Sequence, residues 1–100
     1  ADDILFQKYR ISLKQQKFTE AANFLQQVVD VYSSDILADD ALFLLAQLNH
    51  FNLNDIEKAK TLYEKLLVDY PGSIYTVESR KRFRFLRGDN ITKEEMIFIH

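Results

Sequence analysis

The sequence predicts an all-α fold, a solenoid of about two and a half antiparallel helix-turn-helix repeats containing five helices. Three observations carry that expectation. Glycine and proline together number three residues (Gly 2, Pro 1), which leaves room for long uninterrupted helices and little for a turn-rich β fold. Apolar residues recur at three- and four-residue spacings, the period of one buried helix face. The chain also matches itself at a displacement of 38 residues, which a stack of paired helices produces. A length of 100 residues with 47% hydrophobic side chains is enough for one independent core.

The elements follow in order. The first helix is expected over about 2–16, with Asp2 and Asp3 at the positive end of its dipole. The second covers about 18–32, where Ala21, Phe24, Leu25, Val28, Val31 and Tyr32 form one stripe. Ser33-Ser34-Asp35 reads as a break followed by an N-cap. The third covers about 36–51, with Ala41, Leu42, Leu44, Leu45 and Leu48 as a broad apolar surface. Asn52 to Asp55 makes a turn, and the fourth helix, about 55–70, displays Ala59, Leu62, Tyr63, Leu66 and Leu67. Pro71-Gly72-Ser73 stops it, and Ser73 is expected to cap the fifth helix, about 74–87, which ends at Gly88. Residues 1–88 thus read as one repeat domain. Residues 89–100 read as a tail of open conformation, with a capping box at Thr92 and Glu95 and an apolar end from Met96 to His100.

At the 38-residue displacement Ala21 falls on Ala59, Leu25 on Tyr63, Val28 on Leu66 and Tyr32 on Tyr70. The match continues with Ile36 on Ile74, Ala41 on Ser79, Leu45 on Phe83 and Leu48 on Leu86. Ala41 to Ala46, Asn54 to Ala59, Tyr63 and Asp69-Tyr70-Pro71 resemble a tetratricopeptide repeat. In that resemblance Ala46 and Ala59 are the small residues that let two helices approach, and Pro71 is the terminating proline. Lys17 to Ala21 looks like a more degenerate copy, with Ser33 where the proline would stand and the small residue replaced near Lys8 or Tyr9. The turn before Asp55 reads as one residue longer than the family's, and the linker Asp35 to Asp39 as extended. Tyr70 to Tyr75 with Arg80 to Arg84 is similar to the closing segment of longer bacterial repeat proteins of the cell envelope. That likeness implies a C-terminal piece of a larger chain. It favours the envelope or periplasm, with the cytoplasm as the alternative. The start at Ala1 rather than Met likewise reads as a processed or excised piece.

Charge and composition narrow the chemistry. Residues 1–72 carry 7 basic and 11 acidic side chains, net -4, and residues 73–100 carry 6 and 4, net +2. Absence of cysteine excludes disulfides, thiolate metal sites and a cysteine nucleophile. No glycine-rich phosphate loop, metalloprotease helix motif, nucleophile elbow or calcium loop is present. No cofactor, metal or catalytic residue is therefore expected, and no enzyme. His50 reads as a partly exposed histidine at a helix C-terminus, with ligand contact as the alternative. Asp39 with Asp40, like Asp2 with Asp3, reads as first-turn carboxylates facing a helix dipole rather than an ion site. Asn90-Ile91-Thr92 matches a glycosylation triplet that arises often by chance.

The family resemblance implies that the first helix of each repeat lines a concave groove for a peptide or helix of a protein partner. Carried over residue by residue, the groove candidates are Phe43, Gln47, His50 and Phe51, with Lys81 and Phe85 one repeat on and the neighbourhood of Leu5 and Tyr9 one repeat back. The phenylalanines read either as partner anchors or as seals of the helix packing. Arg80, Lys81, Arg82, Arg84 and Arg87, interleaved with Phe83 and Phe85, form a basic strip. It reads either as contact with nucleic acid or a membrane surface or as the solvated face of a terminal lid. The net acidity of the chain speaks against nucleic acid. Three functions remain open on sequence alone: a protein-interaction or scaffold module, a structural cap of a longer solenoid, and polyanion contact through the fifth helix.

Overall fold

The computed structural model describes residues 2–32 and 37–88, with the side chains of residues 2 and 3 excepted. Among the described residues five helices follow one another: α1 (Asp2–Lys14), α2 (Phe18–Val31), α3 (Ala38–Phe51), α4 (Ile56–Asp69) and α5 (Thr76–Arg87). Each packs on its neighbour in the chain, α1 on α2, α2 on α3, α3 on α4 and α4 on α5. One continuous core runs through the stack, from Phe6 and Tyr9 through Leu25, Val28, Leu42 and Leu45 to Tyr63 and Leu66. Ala46 and Ala59 are both fully buried where α3 meets α4, which is where small side chains permit close approach. The all-helical repeat fold expected from the sequence is thus the fold observed.

The backbone repeats at the 38-residue displacement with little deviation. The N-caps Lys17 and Asp55 have φ/ψ of -90/74 and -94/82, and Leu37 and Tyr75 have -92/1 and -90/1. The C-caps Tyr32 and Tyr70 donate to Val28 O and Leu66 O respectively. The two non-glycine residues with positive φ, Gln16 (59°) and Asn54 (55°), are also one repeat apart. The α1–α2 and α3–α4 turns therefore each reverse the chain through a left-handed residue, although neither is the glycine that geometry favours.

Inside that frame α1 and α3 are offset by one residue. Lys17 donates to Ser12 O, whereas Asp55 donates to Asn49 O. The α3–α4 turn thus takes one residue more, and upstream of it the equivalence becomes 37 residues. Burial agrees: Phe6, Tyr9 and Ser12 are buried in α1 as Phe43, Ala46 and Asn49 are in α3. Tyr9 is accordingly the residue that replaces the small one.

Three boundaries differ from expectation. α1 stops at Lys14 rather than at Gln16, because Gln16 turns left-handed and Gln16 and Lys17 donate back to Leu13 O and Ser12 O. α5 starts at Thr76, with Tyr75 and not Ser73 at its N-cap and no side-chain cap there. Ser73 Oγ instead accepts from the Tyr75 N–H at 3.1 Å, while Thr76 Oγ1 donates to Ser73 O at 2.8 Å. α3 starts at Ala38 with Leu37 at the cap position, so the expected cap in Ser33-Ser34-Asp35 lies outside the described residues, as does everything expected of residues 89–100. Asp55 caps α4, its carboxylate accepting from the Lys58 N–H at 3.2 Å, and Gly88 closes α5 at φ 94.

Candidate functional site

The groove candidates of α3 do come together, but around a side chain of the protein itself. Arg82 is only 4% exposed. Its guanidinium lies 4.9 Å from the Phe43 ring centroid, 5.5 Å from Phe51 and 5.8 Å from Tyr63, within the range of cation–π attraction. Arg82 donates to Gln47 Oε1 at 3.1 Å and to the Tyr63 hydroxyl at 3.2 Å, and pairs with Glu78 at 3.4 Å. Phe43, 5% exposed, stacks on Tyr75 with centroids 4.5 Å apart and planes at 12°. It is therefore a packing residue and not a surface anchor.

His50 completes the cluster. Its Nδ1 sits 3.2 Å from the Tyr63 hydroxyl, and its ring stacks on Phe51 at 4.0 Å. The Tyr63 oxygen accepts from Arg82, and the direction of its contact with His50 Nδ1 follows the histidine tautomer. Burial, and secondarily the Arg82 charge, push the His50 pKa below its ordinary value. Burial likewise pushes the Tyr63 phenol up, against the opposing influence of Arg82.

The remaining candidates lie on the surface. Phe51 is 46% exposed and Phe85 44%. Lys81 and Arg84 are half-buried, and Arg80 and Arg87 are exposed. The basic strip is corrected on one point: Arg82 faces inward, so only Arg80, Lys81, Arg84 and Arg87 remain on the accessible side. The Arg87 guanidinium lies 5.2 Å over the Phe83 ring.

A cavity of about 360 Å³ opens one repeat earlier, lined by Phe6, Gln7 and Arg10 of α1, by Leu37, Asp40 and Leu44 at α3, and by Tyr75. None of its walls comes from α2 or α4. The 37-residue offset makes Phe6 and Arg10 the counterparts of Phe43 and Gln47, correcting the expected Leu5 and Tyr9; Tyr9 is buried in the core. Across the gap Asp40 and Leu44 occupy the repeat positions of Glu78 and Arg82. At the second junction the long Arg82 side chain fills the space between first helices; at the first, Leu44 is too short to do so.

The polar groups of the cavity differ in how they are engaged. Asp40 beside the Tyr75 hydroxyl, together with burial, pushes that phenol up to about 12. Arg10 is exposed, with its guanidinium 6.0 Å from the Phe6 centroid, and no ion pair of Arg10 occurs among the described residues. Sequence reasoning missed this site because its residues come from elements that are not adjacent in the chain. The available signal was Asp40, Leu44 and Gln47 on one face of α3, together with a one-residue correction for α1. Among the described residues no group of three or more His, Asp or Glu could hold a metal ion, and no helix is long and apolar enough to cross a membrane.

Residues 40–73 match the tetratricopeptide repeat family model. The match begins at the cavity residue Asp40 and ends just past the terminating Pro71, so it covers α3, α4 and the turn between them. No curated protein and no solved structure matches the chain.

Proposed function

We propose that this chain, whose residues 40–73 match the tetratricopeptide repeat family model, is a non-catalytic interaction module that holds a peptide or helix of a protein partner against the face made by α1, α3 and α5. Such repeats generally bind proteins. The observation that carries the reading is the cavity whose described lining residues all come from that face. Exposed Phe51 and Phe85 and half-buried Lys81 extend the same series of first helices beyond it. Aromatic area beside a cation is the composition from which interfaces draw their strongest contacts. The test is a pull-down with the wild-type chain and with Phe51→Ala, Lys81→Glu and Phe85→Ala, each checked for retained helix content. Loss of the captured protein in the variants is expected. Capture indifferent to all three would refute the reading.

A second reading, an end unit of a longer solenoid, is favoured by one feature. Ile4 is 55% exposed and Ile11 58%, while their counterparts Ala41 and Leu48 are 0% and 4% exposed. In α3 that face is covered by the preceding repeat. A consensus repeat fused ahead of Asp2 is expected to raise the melting temperature; no gain would exclude this reading.

A further inference from the structure

We propose that the cavity between α1 and α3 is the anchor site for an acidic peptide, seating one aromatic side chain on Phe6 and one neighbouring Asp or Glu carboxylate on Arg10. The inference rests on the interaction module proposed above and names the chemistry of its ligand.

The aromatic part follows from comparison of the two junctions. At the second one the Phe43 ring is covered by Tyr75, stacked at 4.5 Å, and by the Arg82 guanidinium at 4.9 Å. The corresponding residues at the first are Leu37 and Leu44, and about 360 Å³ is left over the Phe6 edge of the cavity. That volume lies at the small end of ligand sites, roughly 300–1,000 Å³. Phe6, Leu37 and Leu44 supply the apolar part of its lining, and at the equivalent position one repeat on the protein covers Phe43 with a stacked ring.

The acidic part follows from charge. Asp40 and Tyr75 both line the cavity and lie beside one another, so the acidic side chain has a hydroxyl donor next to it. Arg10 on the opposite wall presents a planar fork suited to a carboxylate. Gln7, Arg10 and Lys14 are all exposed and fall at i, i+3 and i+7 of α1, so they share one helix face and extend the donor track away from the cavity. A carboxylate one or two residues from the anchor meets Arg10, and further acidic residues meet Lys14.

The test uses an array of N-acetylated, C-amidated peptides with a central Phe, Leu or Ala flanked by Glu or by Lys, probed with the intact chain. Phe-centred, Glu-flanked peptides are expected to bind at least about tenfold better than Ala-centred or Lys-flanked ones. Arg10→Glu is expected to reverse the flank preference. Leu44→Arg, which gives the first junction the residue found at the second, is expected to close the cavity and abolish capture with helix content retained. Retained binding in both variants, or an array without aromatic or acidic preference, overturns the inference. If binding is lost only in Lys81→Glu or Phe85→Ala, the cavity assignment fails while the interaction module stands. If no peptide binds, the anchor site is refuted, and the module is judged by its own pull-down.

Discussion

At the junction of α3 with α5, Arg82 lies across Phe43 and bonds Gln47 and Tyr63. At the junction of α1 with α3 the same repeat position is Leu44, and a cavity opens beside Phe6 and Arg10. The backbone at the N-caps is nearly the same one repeat apart, -90/74 against -94/82 and -92/1 against -90/1. Apart from the one-residue offset of α1 against α3, the difference lies in side chains: a long cation stands at the second junction where a leucine stands at the first. Repetition of a backbone fixes where a site sits, and a single substitution at one position decides whether it is closed from within or left open to a ligand.

The largest expected effect contrasts the covered and the open faces of the first helices. Leu48→Ala, at a residue 4% exposed, should cost about 2–5 kcal/mol in urea unfolding. Its counterpart Ile11→Ala, at a residue 58% exposed, should stay within about 0.5 kcal/mol. Equal costs would mean that α1 is covered as α3 is.

Next in size is the filled junction itself. Arg82→Ala should destabilise by about 3 kcal/mol, because it strands Gln47 and Tyr63 and empties an aromatic cage. Arg82→Lys should recover little of that, since an ammonium cannot reproduce the planar fork. The same cluster gives stability a pH dependence. The folded pKa of His50 lies below its unfolded value of about 6.5, so its contribution is present above that pH and is lost as pH falls through the folded value. Denaturant midpoints measured between neutral and acidic pH should show that loss, and it should shrink in His50→Gln. Tyr75 supplies a marker at the alkaline end: ultraviolet titration should find a phenol ionising near 12, which Asp40→Asn returns toward 10.

Smaller effects test how closely the repeats correspond. Ser79 is fully buried, and its hydroxyl makes no hydrogen bond among the described residues; Ala41 is its counterpart. Ser79→Ala should therefore stabilise the chain by about 1 kcal/mol in thermal or urea melts. At the left-handed turns Gln16→Gly should gain somewhat under about 1 kcal/mol, whereas Asn54→Gly should change stability by only a few tenths, because asparagine tolerates that conformation.

Much of this architecture was legible in the sequence, because the apolar stripes of α2 to α4 and the 38-residue match are properties of residue order. The candidate site was legible only in part. Phe43, Gln47, His50 and Phe51 do share one region, but the sequence could not tell that Arg82 reaches back to fill it, since all five basic residues of α5 look alike in a list of charges. The cavity was hidden for a backbone reason. One extra residue in the α3–α4 turn shifts α1 against α3, so a constant displacement pointed at Leu5 and Tyr9 instead of Phe6 and Arg10. Ser73 misled similarly: its hydroxyl serves the turn and not the helix end.

Because the substantial packing among the described helices is between chain neighbours, the molecule behaves physically as a short row of coupled units. Contacts close over short stretches of chain, which favours rapid folding, on the microsecond-to-millisecond scale typical of low contact order. The same locality governs how it comes apart. Under a pulling force applied at its ends, the helices would peel away one after another, α1 first with its uncovered face, and the segment from α3 to α5, cross-braced by Arg82, would let go last.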